Sequence, residues 1–67
     1  MNQNNQKTIT ELGAIAAQCV KERKRFRNDG ETDRSLDVRT NILLDSYECS
    51  DKEKELINYT VEDMESL

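Results

Sequence analysis

The sequence predicts an all-α fold of three helices, near residues 8–28, 33–48 and 51–66, in which the first two form a helical hairpin. Three observations predict it. Apolar residues recur at helical spacing in each segment, helix-start motifs stand at the expected places, and the chain has no proline and only two glycines, Gly13 and Gly30. Smallness adds a further expectation. With 67 residues and 34% hydrophobic content against 36% charged content, the chain has few side chains for a core. A domain of this size without disulfides or metal commonly gains stability by association, so a homo-oligomer, or completion by a partner, is expected.

The first element follows a polar arm. Five of the seven residues from Met1 to Lys7 are Asn or Gln, so residues 1–7 have nothing to bury and are expected to stay disordered, leaving 8–67 as one small domain. Thr8-Ile9-Thr10-Glu11 then reads as a capping box. At ~100° per residue, Ile9, Leu12, Ile15, Ala16, Cys19, Val20 and Phe26 form one core-facing stripe. Asn28-Asp29-Gly30 stops the helix, glycine suiting the left-handed position after it.

Thr32 or Asp33 can cap the second helix, which carries apolar residues on two opposite sides. Leu36, Leu43 and Tyr47, with Leu44 beside them, share one side; Val38, Ile42 and Cys49 lie opposite. Two neighbours are therefore needed, the second being another helix or another copy of the chain, and Val38, Ile42 and Cys49 become the expected oligomer interface. Residues 36–44 also alternate as a strand would, but Asp37, Arg39 and Asn41 are poor strand residues.

Ser50-Asp51-Lys52-Glu53 is a second capping box, and Leu56, Ile57, Val61, Met64 and Leu67 supply the stripe of the third helix. Asn58-Tyr59-Thr60 before Val61-Glu62-Asp63 offers a further cap, and with it a kink near Tyr59.

Composition excludes much chemistry. Without histidine there is no imidazole base and no histidine metal ligand. Cys19 and Cys49 stand alone among apolar residues and are expected as buried reduced thiols, so no catalytic site, metal site or cofactor is expected. No apolar run has the length of a membrane span, and the N-terminal stretch is polar, so the expected location is cytoplasmic.

The charge is unevenly placed. Residues 1–30 carry six basic and three acidic side chains, residues 31–67 four basic and eleven acidic, so the net −4 conceals +3 followed by −7. Lys21, Arg23, Lys24, Arg25, Phe26 and Arg27 make up the densest part, with Arg34 and Arg39 across the Gly30 turn. These eight residues are the candidate partner-binding or anion-binding set, since arginine favours bidentate contact with carboxylate or phosphate. The competing expectation is that they pair with the acidic half. Duplex DNA is disfavoured by the eleven acids and by the lack of a helix-turn-helix spacing.

The leading functional expectation is a non-enzymatic regulator or inhibitor that binds another protein. The alternative is a binder of a small anionic ligand, such as a nucleotide, through the arginine cluster. In overall format alone, a short helical hairpin with that cluster, the chain resembles the small phage proteins that sequester cyclic-nucleotide immune signals. The resemblance implies a phage-like origin and the same ligand class.

Overall fold

A computed structural model describes residues 7–67, and of the expected polar arm only Lys7 lies within them. The fold is all-α: α1 spans Ile9–Asn28, α2 Asp33–Ser46 and α3 Asp51–Glu65. Local chemistry sets each start. The Thr8 hydroxyl accepts from the Glu11 amide at 3.1 Å, while the Thr8 amide donates to the Glu11 carboxylate at 2.9 Å. The Thr8 amide first, and the Thr8 hydroxyl second, hold the Glu11 carboxyl below its ordinary range. Thr32, rather than Asp33, caps α2 through the Ser35 amide. Ser50 and Glu53 form the second capping box.

Both turns close in the same way. After α1, the amides of Gly30 and Glu31 donate to the carbonyls of Arg27 and Phe26; after α2, those of Glu48 and Cys49 donate to Asp45 and Leu44. This is the Schellman pattern, which requires a left-handed residue just beyond the helix. Gly30 fills that position at φ 91°, and Glu48 fills it at φ 60°.

Side-chain pairings set the directions of the helices. Lys7 and Glu53 meet at one end, and Arg23 and Glu65 at the other, so α1 and α3 run the same way. Arg23, late in α1, bonds Asp37 and Thr40 in the first part of α2, while Lys7 just before α1 donates to the Glu48 carbonyl just after α2, so α2 runs antiparallel to α1. α1 is the helix on which both others pack. The core consists of Ile15, Ala16 and Cys19 of α1, Leu44 of α2, and Ile57 and Val61 of α3.

The expected stripes narrow at their ends. Ile15, Ala16 and Cys19 are buried, Leu12, Val20 and Phe26 are partly covered, and Ile9 is 87% exposed in the first turn. In α3, Ile57 and Val61 are buried while Leu56, Met64 and Leu67 are exposed. α3 runs unbroken through Tyr59. The Thr60 hydroxyl donates to the Leu56 carbonyl at 3.0 Å instead of capping a new helix, so the expected kink does not form.

α2 is a helix over the ambiguous segment, and its inward side is centred on Leu36, Thr40 and Leu44, all buried. Leu43 is half-buried and Tyr47 exposed, a shift from the expected centre at Leu36, Leu43 and Tyr47. The polar member fits because the Thr40 hydroxyl donates to the Leu36 carbonyl at 2.7 Å and accepts from Arg23 at 3.0 Å. The opposite side carries Val38 and Ile42, 56% and 61% exposed. Cys49 does not share that outer side. α2 ends at Ser46, and the left-handed turn at Glu48 carries Cys49 back against the core.

Candidate protein-binding groove

The eight candidate residues separate into three groups. Arg23 is the first, and it faces inward with its side chain 13% exposed. Its Nε donates to Glu65 at 3.1 Å, and one terminal nitrogen donates to Asp37 at 3.1 Å and to Thr40. Burial opposes the charge, but the hydrogen bonds to Glu65 and Asp37 outweigh it and raise the guanidinium further above its ordinary value. Arg23 therefore joins all three helices. Arg27 reaches the same Glu65 carboxylate at 3.4 Å from a more exposed position.

The second group surrounds Phe26. Arg39 lies over the ring at 4.2 Å from its centroid, and Arg25 stands at 5.8 Å. Arg39 also donates to Glu31 at 2.7 Å, and Arg25 lies 3.9 Å from Glu22. The bond from Arg39 and a second from the Ser35 hydroxyl hold the Glu31 carboxyl below its ordinary range. Lys21, Lys24 and Arg34 form the third group: exposed, and making no ion pair among the described residues.

The charge asymmetry is met in part within the protomer: Lys7, Arg23 and Arg27 pair with Asp37, Glu53 and Glu65 of the acidic half. The pairing leaves an open groove of about 290 Å³ between α1 and α2. Phe26 is the largest apolar member of its lining, Cys19, Leu36, Ile42 and Leu43 supply the rest, and Arg39 and Ser46 stand on the α2 side. Sequence reading identified Phe26, Ile42 and Arg39 separately. It missed that Leu43 joins them, although Leu43 follows Arg39 by one helical turn. The groove's chemistry is that of a cleft accepting an apolar side chain, flanked by Arg23, Arg39 and the Glu22 carboxylate.

Both thiols are free. Burial pushes Cys19 up to about 11, and raises half-buried Cys49 as well, so neither is an activated nucleophile at neutral pH. Among the described residues no cluster of His, Cys, Asp or Glu is arranged to hold a metal ion, and no helix is long and apolar enough to cross a membrane. At the far end of the molecule, Glu53 is a buried anion that sequence reading recognised only as a cap. It also accepts from the Lys7 amide at 2.7 Å, and the Lys7 and Ser50 amides hold its carboxyl low. Comparison with protein-family models, with curated proteins and with solved structures found no match. What the site can do therefore rests on its own geometry.

Proposed function

We propose that this chain is a small helical regulator or inhibitor that acts without catalysis, by binding another protein in the groove between α1 and α2. The observation that carries the reading is the open apolar groove beside Phe26, at the place where the arginines of both helices are already engaged. Phenylalanine and arginine are both enriched at the cores of protein interfaces. A partner helix presenting an apolar side chain would fill the groove and pack against Phe26, Ile42 and Leu43.

The anionic-ligand reading is weaker on these contacts. A phosphate would have to displace Glu65 and Asp37 from Arg23, and Glu31 from Arg39. A photo-crosslinking residue placed at Ser46, on the groove wall, tests the proposal against the same residue placed at Lys24. In host extract, one protein captured from position 46 and absent from position 24 is the expected result. Equal capture from both positions, or none from position 46, would sink it.

A further inference from the structure

The outer side of α2 carries a pattern that meets the groove only at Ile42. Arg34, Val38, Ile42 and Asp45 fall within about 80° of one another at ~100° per residue, forming one strip. All four are exposed. A cation therefore stands at the beginning of the strip, two β-branched apolar residues at its centre and an anion at its end. Arg34 makes no ion pair among the described residues, and Asp45, although paired with Lys54, keeps its side chain 58% exposed.

Such a strip is complementary to its own antiparallel copy. When two α2 helices lie antiparallel about a two-fold axis at the level of Thr40, Val38 of one faces Ile42 of the other. Arg34 then lies within one residue rise, 1.5 Å along the axis, of the second copy's Asp45. The two-fold also places both charges on the same flank, because residues on one flank of the first helix meet residues on that flank of the second. A parallel pair would instead set Arg34 against Arg34 and Asp45 against Asp45. From this charge complementarity and the exposed apolar centre, we infer that the outer strip of α2 is a self-association surface, pairing antiparallel with a second copy of this chain. Two symmetry-related Arg34–Asp45 pairs flank its four apolar side chains, as an isologous interface requires. The small area and exposed ion pairs make this a weak dimer, favoured by high concentration and low salt.

The test needs only this chain, so its failure leaves the groove reading standing. Sedimentation of the full chain over a series from micromolar to about 1 mM at low salt is expected to show a concentration-dependent dimer. A monomer throughout would overturn the inference without any variant. Arg34→Asp and Asp45→Arg are each expected to weaken dimerisation at least tenfold, since each creates two like-charge pairs. Mixed in equal amounts, the two variants form opposite-charge pairs in both places and are expected to dimerise together. If wild type dimerises but the mixture is no heavier than its components, the antiparallel register is wrong. Circular dichroism confirms that each variant remains helical, and both positions are exposed.

Discussion

The inner and outer sides of α2 differ less in composition than in what meets them. Inward stand Leu36, Thr40 and Leu44; outward stand Val38 and Ile42. A threonine is buried while a valine and an isoleucine are left in water. Hydrophobicity alone would reverse at least one of these placements. Thr40 is buried because its hydroxyl has two partners, the Leu36 carbonyl and Arg23, so burying it leaves no polar atom unsatisfied. Val38 and Ile42 stay outside because no helix among the described residues packs on that side of α2.

The sharpest way to break this comparison is to place the same charge on each side. Leu36→Asp removes a fully buried leucine and puts a carboxylate in its place, with a combined cost on the order of 5 kcal/mol or more. That is about the whole stability of a domain of this size, so the variant is expected to be unfolded by circular dichroism at 25 °C. Val38→Asp should leave the monomer folded, with stability changed by about 0.5 kcal/mol or less in urea denaturation at low protein concentration. Equal loss from the two substitutions would show that the outer side is covered even in the monomer.

A second way is to remove the charge that lets Thr40 be buried. Arg23→Met keeps most of the side-chain volume but cuts the bonds to Thr40, Asp37 and Glu65, joining α1 to both other helices. A loss of about 1–3 kcal/mol is expected. Arg27→Met, which removes only an exposed contact to the same Glu65, should cost below about 1 kcal/mol. Similar losses for both would mean that Arg23 is as loosely held as a surface side chain.

These two arginines also show what the sequence could and could not disclose. Helix starts were legible because Thr8, Thr32 and Ser50 act on amides only a few residues away. The centre of each stripe was legible for the same reason, since periodicity is local. The partners of Arg23 were not, because Asp37, Thr40 and Glu65 lie 14, 17 and 42 positions further on. Arg23 belongs to the expected partner-binding or anion-binding set, yet at ~100° per residue it shares the meridian of the apolar stripe of α1. In the fold that meridian points inward, and the guanidinium meets acids from the other two helices. Cys49 was misplaced by a different cause: helical projection was carried one residue past Glu48, where the chain turns left-handed. The groove required knowing which side of the α1–α2 contact α3 occupies, and that is settled by packing rather than by pattern.

The smallest predicted effect concerns the turns that set where α2 begins and ends. Both need a left-handed residue just beyond a helix; one has Gly30 and the other Glu48. A side chain in that conformation brings Cβ close to the carbonyl oxygen, at a cost of about 1–2 kcal/mol that glycine avoids. Gly30→Ala should therefore destabilise by about 1 kcal/mol through the backbone alone, since a Cβ there meets nothing within 4 Å. Glu48→Gly should act the opposite way. It relieves the strain but gives the unfolded chain more freedom, which offsets part of the gain. The net expectation is about 0.5 kcal/mol of added stability, a rise of roughly 2–4 °C in Tm for a domain this small. The Glu48 carbonyl that accepts from Lys7 belongs to the backbone and survives the change. Opposite signs from the two substitutions would show that α2 is bounded by the same device at both ends, with only one end made from the residue that suits it.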